Sequence, residues 1–345
     1  MKVHVKALLG IATTLALVGA LSACSTGSGG GSKPTNGPSH FKIAFIETNL
    51  GNPYNDSITK GLEKASKELG FDLTVVGPAT AGAADQVPFI EDQITKGVNA
   101  ILINANDPAA VLPSLKQAVA AGIKVFAINS DVIPEVRTTA FTPVDFSIVP
   151  KDQLNLLSKL IGGEGQIAIL SATTTATFQK TVVDAQVKLL KSDPAYAKLD
   201  LVKIAYGDDD PQKSATETQA LITAFPNLKA IIAPTTVGLA AAAQAVESAG
   251  LGGKIQVTGL GTPDQMRAYL TSGTVQGFQL WDPILHGYVT GQFVNAILAG
   301  KITGKPGSSL DVPGSGKLTV SPSGVLFTQQ TLTTFDKTNI ANYHF

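Results

Sequence analysis

The sequence predicts an α/β fold of two similar lobes, each built around a parallel β-sheet. From residue 41 onward, short apolar runs of strand length alternate with amphipathic segments of helix length, a pattern typical of parallel sheets covered by helices on both faces. Residues 99–129 and 229–260 also share one order of features: an apolar strand, a polar turn, an alanine-rich helix, then Ala-Gly before the next strand. Such a repeat, in a chain of 345 residues, indicates two related halves.

The strands are expected at the apolar runs, in two series. The first series occupies residues 42–46, 72–76, 100–104 and 124–129. The second series occupies residues 166–170, 201–205, 230–234, 255–260 and 275–280. Between the first two runs, residues 58–69 carry apolar side chains at the spacing of one helix face. Two α/β lobes with a cleft between them are a common way to enclose a small molecule.

The N-terminus has the pattern of an export signal. Lys2 and Lys6 precede an apolar run over residues 8–21, which ends in small residues. Cys24 is the single cysteine of the chain and follows Leu-Ser-Ala at the expected cleavage point. This arrangement resembles a bacterial lipobox, in which the thiol is lipidated and becomes the new N-terminus. The Gly/Ser/Pro-rich segment up to residue 40 would then be a flexible tether on an exported lipoprotein.

Composition argues against several classes of function. One cysteine allows neither a disulfide nor a cysteine-based zinc cluster. Removal of residues 1–23 leaves 24 basic against 26 acidic side chains and a net charge of −2, which gives no basic footprint for nucleic acid. A nucleotide-dependent enzyme would carry G-x-G-x-x-G after an early strand, and this chain has none there. A transcriptional regulator would carry a helix-turn-helix where this chain has its signal. We therefore expect no enzyme activity and no cofactor.

Polar side chains follow nearly every predicted strand. Ligands of open parallel sheets bind beyond the carboxyl ends of the strands, and the residues there are amides, hydroxyls, carboxylates and two aromatics. Amides and carboxylates can hydrogen-bond the hydroxyls of a neutral sugar, and aromatic faces suit its C–H side. A phosphate would need a glycine-rich loop or clustered cations. The candidates are Asn52, an exposed Tyr54, Asn55, Asn104, Asn129, Asp131, Gln179, Thr235, Thr236, Trp281 and Asp282.

These candidates, and other polar residues that follow the strands, also have structural explanations, which the sequence alone leaves open. Asn52 and Asn55 can cap the helix that begins beside them. Asp107 precedes a proline, the pattern of an N-cap followed by proline at the first helical position. The acidic run at residues 208–210 can serve for capping and solvation, and Trp281 can be a core aromatic. Convergence of so many polar turns favours binding.

Four motifs make a family resemblance recognisable. They are "AILSATTTATFQK" at 168–180, "IIAPTTVG" at 231–238, "VTGLGTPDQM" at 257–266 and "LWDPILHGY" at 280–288. Together they resemble the sugar-binding proteins of ABC importers, nearest to the L-rhamnose-binding group, with autoinducer-2-binding proteins as relatives. The resemblance implies a type I periplasmic-binding-protein fold: two Rossmann-like lobes, a three-strand hinge and a ligand between the lobes. The implied segments are a signal peptide at 1–23, a tether at 24–40, an N-terminal lobe at 41–144 with 282–325, and a C-terminal lobe at 145–281 with 326–345.

The resemblance also implies which residues contact the ligand, although some of these positions carry other residue types than the family does. Positions that match family contacts are Asn52, Tyr54, Asn104, Asn129, Asp131, Gln179, Thr235, Thr236 and Asp282. Relatives commonly have an aspartate at Asn129 and a second aromatic at Asn55. Autoinducer-2 binders have a lysine near Thr48 and an aspartate near Phe178, and this chain lacks both. These departures argue against autoinducer-2 and leave a different aldose, a deoxysugar or a polyol open.

The expected function is capture of a ligand for transport. A monomer anchored through Cys24 would bind a neutral monosaccharide and deliver it to an ABC permease with its ATPase. The alternatives are a polyol-binding or autoinducer-2-type protein, and a sensor that presents a sugar to a receptor.

Overall fold

A computed structural model describes residues 40–345. The strands of this part are β1 (Lys42–Ile46), β2 (Asp72–Val76), β3 (Ala100–Ile103), β4 (Lys124–Ile128), β5 (Thr139–Thr142), β6 (Gly165–Ser171), β7 (Leu199–Tyr206), β8 (Leu228–Ala233), β9 (Gln256–Gly259), β10 (Phe278–Leu280), β11 (Ser309–Val312), β12 (Gly316–Thr319), β13 (Val325–Phe327) and β14 (Thr333–Phe335). The helices are α1 (Pro53–Leu69), α2 (Val87–Thr95), α3 (Pro108–Ala120), α4 (Val149–Ile161), α5 (Thr177–Ser192), α6 (Pro211–Ala224), α7 (Thr236–Ser248), α8 (Pro263–Ser272) and α9 (Pro283–Leu298).

The first sheet has the strand order β13-β5-β4-β3-β1-β2, with every pairing parallel. Its central strands are buried along nearly their whole length. Apolar side chains of α1 and α9 pack on one face, and those of α2 and α3 pack on the other. Burial on both faces explains why these strands read as continuous apolar runs instead of alternating ones.

The second sheet has the strand order β7-β6-β8-β9, again with parallel pairing. β10 lies beside β9 through a bridge between Leu260 and Gln279, and β10 pairs with β14 in antiparallel fashion. A separate antiparallel hairpin forms from β11 and β12. The carboxyl ends of β6, β8 and β9 therefore meet at one edge, where the motifs at 168–180, 231–238 and 257–266 begin their loops.

The chain passes between the two sheets in three places: after β5, after β10 and after β13. The second and third passages are tied together by Gln329, whose side chain donates to the Asp282 carbonyl at 2.7 Å and accepts from the Asp282 amide at 2.9 Å. The His286 ring lies 2.9 Å from the Thr328 hydroxyl and is fully buried. Burial lowers the pKa of His286 to about 3, so the ring is neutral at this junction.

Two glycines let α1 and α9 approach closely. A Cβ on Gly61 would lie 2.0 Å from the Ile284 carbonyl oxygen, and a Cβ on Gly287 would lie 2.1 Å from the Ile58 carbonyl oxygen. Both contacts are with backbone, which cannot move aside as a flexible side chain can. The glycines therefore fix how α9, which enters from the second sheet, sits on the first.

The α/β class with parallel sheets is confirmed, and the strands predicted before residue 260 match closely. The sequence missed β5 and all strands after β10, and the run predicted at 275–280 is a strand over Phe278–Leu280. Division of the chain into lobes at the stated boundaries stays a prediction; β13 (Val325–Phe327) belongs to the first sheet. The predicted signal and nearly all of the predicted tether lie outside the described residues.

Candidate ligand-binding site

The loop after β1 combines a helix start with a wall of the candidate site. Asn52 is the N-cap of α1, since its side-chain oxygen accepts from the Tyr54 amide at 3.0 Å, and Pro53 occupies the first helical position. The other end of the same amide points away from the helix and donates to the Asp209 carboxylate at 3.3 Å. Asn52 therefore caps the helix and also faces the second sheet, while its contact with a ligand stays a prediction.

Residues from the ends of both sheets enclose a cavity of about 60 Å³. Such a volume has space for about four to six water molecules, which is the scale of one sugar ring. The predicted site residues that line it are Asn52, Tyr54, Asn55, Asn104, Asn129, Gln179, Thr235, Thr236 and Trp281. Thr48, Asn106, Ser130, Thr173, Phe178 and Asp209 add further side chains to the lining.

The aromatic wall is a bonded unit. Tyr54 and Trp281 meet edge to face with ring centroids 6.2 Å apart. The Trp281 indole N–H donates to the Tyr54 hydroxyl at 2.7 Å, and that hydroxyl donates to the Asn129 side-chain oxygen at 2.8 Å. Phe178 packs edge to face on Trp281 at 5.7 Å and on Phe146 at 4.4 Å. The prediction of an exposed Tyr54 is wrong: it is 8% exposed because its ring packs into this cluster, and burial raises its hydroxyl pKa.

The amides of the first sheet hold one another in place. Asn104 donates to the Asn55 side-chain oxygen at 3.0 Å, and Asn55 donates to the Thr48 hydroxyl at 2.7 Å. The Asn104 oxygen accepts from the Ser130 amide at 3.2 Å. Asn129 has a φ of 64°, the left-handed region that asparagine tolerates better than most residues. These bonds fix the amide orientations before any ligand arrives, which limits the entropy lost on binding.

The second sheet contributes hydroxyls, one amide and one carboxylate. Thr235 occupies the N-cap position of α7 without a capping hydrogen bond from its side chain, and its hydroxyl donates to the Asp209 carboxylate. Burial raises the pKa of Asp209, while the hydrogen bonds from Thr235 and Asn52 lower it in part. Gln179, on the first turn of α5, has no side-chain hydrogen-bond partner within residues 40–345 and is half-buried at the cavity. Its amide is therefore free to meet a ligand.

The structure leaves two predicted site residues outside the cavity lining. Asp131 forms a two-pronged ion pair with Arg137, at 2.6 and 2.8 Å, and the Arg137 side chain is 5% exposed. Asp282 caps α9 by accepting from the Ile284 and Leu285 amides at 2.9 and 3.0 Å. Both aspartates follow strands, as predicted, but each carboxylate binds groups near it in the chain, and neither lines the cavity.

The sequence places the acidic run at 208–210 after a predicted strand, with capping and solvation as its structural explanation, and Asp209 is not among the predicted site residues. The neighbour that caps α6 is Asp210, which accepts from the Lys213 amide at 2.6 Å. A signal was present, because three consecutive acidic residues exceed what one cap requires. Which of them faces the cavity depends on backbone geometry, which residue types alone do not give.

The lining chemistry is suited to hydroxyl groups. Among the described residues that line the cavity, Asp209 is the single charged side chain, and none is lysine, arginine or histidine. Within residues 40–345, no group of three or more His, Cys, Asp or Glu side chains is arranged to hold a metal ion. Amides that both donate and accept, with aromatic edges beside them, can bond a polyhydroxylated molecule from several sides.

The family model for the periplasmic binding protein domain matches residues 43–302, and the chain belongs to this family. A ribose import binding protein of Bacillus subtilis is 27% identical over 247 residues, which span 67% of this chain and 74% of that protein. The crystal structure of a sugar ABC transporter from Actinomyces odontolyticus is 37% identical, with a TM-score of 0.71, over 88% of this chain and 98% of that one. An ABC transporter solute binding protein from Clostridium phytofermentas with bound L-rhamnose is 32% identical, with a TM-score of 0.84 and the same coverage.

Cys24, the predicted site of lipidation, lies outside the described residues. Over residues 40–345, none of the helices combines the length and the apolar character needed to span a membrane.

Proposed function

We propose that this chain is an extracytoplasmic solute-binding protein that captures a neutral monosaccharide and passes it to an ABC permease. The observation that carries the proposal is the cavity between the sheets, in which fixed amides and hydroxyls surround space for one ring and Tyr54 and Trp281 form an apolar side. Family membership supports a binding role without chemistry on the ligand. The relatives named above carry ribose or L-rhamnose in their descriptions, which supports a sugar as the ligand class.

Within that class we propose a rhamnose-like aldose or deoxysugar. A deoxysugar presents one apolar methyl group beside its hydroxyls, and the cavity offers Phe178 and Trp281 next to the amides. Thr48 and Phe178 stand where autoinducer-2 binders were expected to carry charges, so the lining favours a neutral ring. Closure excludes water from the site, so a hydroxyl without a partner costs about 1–3 kcal/mol. Fixed amides can thereby distinguish epimers.

Capture proceeds by closure of the two lobes around the sugar. Side chains of both sheets line the cavity, and the three chain passages between the sheets form the hinge. A ligand drives closure only through its higher affinity for the closed state than for the open one. The closed protein then presents a surface made by both lobes to the permease, so that recognition by the permease reports occupancy.

We further propose that the protein works as a monomer beside its permease, held by lipid on Cys24. A single acyl chain binds membranes only marginally, so stable anchoring needs a second chain on the same residue. The lobes are proposed to divide at residues 144, 281 and 325. The first two positions follow β5 and β10, whereas the third falls at the start of β13, before the third passage.

Thermal shift against a panel of neutral sugars and polyols tests the proposal. The panel contains L-rhamnose, D-ribose, D-xylose, L-fucose, erythritol and xylitol, with autoinducer-2 for comparison. A ligand at a hundred times its dissociation constant adds about 2.7 kcal/mol of stability. Gln179→Ala should weaken the binding of the active sugar about tenfold, since its amide lines the cavity. Gln219→Ala, on the exposed face of α6, is the matched control. Absence of any shift across the panel would refute sugar capture.

A further inference from the structure

Asp209 lies in the lining that two cavities share. The inner cavity of about 60 Å³ and the outer cavity of about 890 Å³ are both lined by Asn52, Ala81, Thr173 and Asp209. The outer cavity is also lined by residues from both halves of the chain, among them Leu50 and Tyr269. A ligand that reaches the inner cavity from the outer one therefore passes the Asp209 carboxylate.

The backbone that presents this carboxylate is unusual. Asp208 and Asp209 have φ values of 52° and 56°, the left-handed region that costs most residues about 1 kcal/mol or more. The two side chains point in different directions as a result: Asp208 pairs with Lys213 at the surface, whereas Asp209 is directed into the cleft. Gly207 lets this turn lie close to α6, since a Cβ there would lie 2.1 Å from the Ser214 hydroxyl oxygen. Such a strained turn beside a cavity indicates a positional requirement.

The Asp209 carboxylate accepts hydrogen bonds from neutral groups and has no cation beside it in the described lining. Its carboxylate accepts from the Asn52 amide on the first sheet's side and from the Thr235 hydroxyl on the second. None of the described residues lining the inner cavity is cationic. A carboxylate offers about four acceptor positions, so these two donors leave capacity for hydroxyl donors on a ligand. Burial raises the pKa of Asp209, and no cation in the described lining neutralises the ionised carboxylate. In that ionised form it would repel an anionic group on the ligand in a partly desolvated site.

We infer that Asp209 is a specificity-determining residue that selects ligands by charge. It accepts hydrogen bonds from the hydroxyls of a neutral sugar and rejects sugars that carry a carboxylate. The inference rests on the proposed function and adds a physical basis for the exclusion of acidic sugars from the site. Because the Asn52 donor belongs to the opposite lobe, the same carboxylate also joins the lobes when they close.

Two neighbouring substitutions give a matched test. Asp209→Asn keeps the shape, removes the charge and tolerates the left-handed backbone. Asp208→Asn makes the same change in the same conformation, but outside the inner cavity. Calorimetry would compare L-rhamnose, D-ribose and D-xylose with L-rhamnonate, D-ribonate and D-xylonate. Asp209→Asn should lower the affinity for the neutral sugar that binds about tenfold, since hydrogen bonds to charged groups are the stronger ones. The same variant should raise the affinity for the aldonate of that sugar at least tenfold. Asp208→Asn should change neither.

The outcomes separate this inference from the proposed function. Binding of no neutral sugar by the wild-type protein overturns both. If the wild type binds a neutral sugar but Asp209→Asn and Asp208→Asn change the affinity for that sugar, or for its aldonate, by the same factor, charge selection alone is overturned. Charge selection alone is also overturned if the wild type binds the aldonate as tightly as the sugar. Asp209→Gly, which suits the same φ, provides a second variant if the asparagine protein does not fold; it too should gain aldonate binding.

Discussion

The Tyr54 hydroxyl is the group whose removal the structure predicts most sharply. It accepts from the Trp281 indole N–H at 2.7 Å and donates to the Asn129 side-chain oxygen at 2.8 Å. All three side chains are buried, at 8%, 2% and 7% exposure respectively for Tyr54, Trp281 and Asn129. Tyr54→Phe keeps the ring in its aromatic contacts and deletes one oxygen atom.

That deletion leaves a buried donor and a buried acceptor without partners. Each unsatisfied buried group costs about 1–3 kcal/mol, so the free energy of unfolding should fall by about 2–6 kcal/mol if neither finds a substitute. The adjacent cavity can supply a water molecule to one of the two groups. We therefore expect a loss of about 2–4 kcal/mol for Tyr54→Phe.

Urea unfolding, followed by the fluorescence of Trp281 and by far-ultraviolet circular dichroism, measures the loss. Trp281 is the single tryptophan of the chain, so its fluorescence reports this cluster alone. Tyr206→Phe is the matched control, because the Tyr206 hydroxyl has no hydrogen-bond partner within residues 40–345 and should cost under about 0.5 kcal/mol. Equal stability of the two variants would refute the proposed hydroxyl bridge.

The remaining predictions concern stability and pH. Gly287→Ala should lower the free energy of unfolding by about 1–3 kcal/mol, since its Cβ would overlap the Ile58 carbonyl; a gain, as in an exposed helix, would contradict the close packing. Burial raises the pKa of Glu47 from 4.5 to about 7, so the wild type should lose stability relative to Glu47→Gln as pH rises from 4.5 through 7, by up to about 3 kcal/mol. Urea unfolding at pH 5 and pH 8 checks this, and equal differences at both values would contradict it. Asp131→Asn should leave sugar affinity within about twofold by calorimetry while costing about 1–3 kcal/mol of stability, because Arg137 loses a charged partner; a tenfold loss of affinity would place Asp131 in the site.

Sequence patterns predict the strands whose signal lies in a short window of sequence. The strands β1 to β4 lie between turn residues and helix-length segments, and their apolar runs follow from burial on both faces. β5 escaped prediction because it has only four residues, Thr139–Thr142. β13 has three residues, and its pairing partner β5 lies more than 180 residues earlier in the chain. Pairing over such a distance leaves no periodicity in a local window.

For the candidate site too, sequence position predicts the location of some residues and not of others. Position after a strand predicts that the amides Asn55, Asn104 and Asn129 lie close together, because carboxyl ends of parallel strands meet at one edge. The three amides line one cavity, and their contact with a ligand stays a prediction. Position after a strand did not bring Asp131 into the cavity lining, since its carboxylate pairs with the nearby Arg137. Sequence position placed the acidic run at 208–210 after a strand but did not show which aspartate faces the cavity, because two residues with left-handed backbone decide that.

Titration of the purified protein with neutral sugars, followed by the fluorescence of Trp281, tests the central claim most directly. Trp281 lines the cavity and bonds Tyr54, so a ring bound there must change its surroundings. Capture predicts a saturable change with one sugar bound per chain for at least one member of the panel, and none with its aldonate. A signal that stays constant for every neutral sugar and polyol, with no heat of binding by calorimetry, would contradict the account.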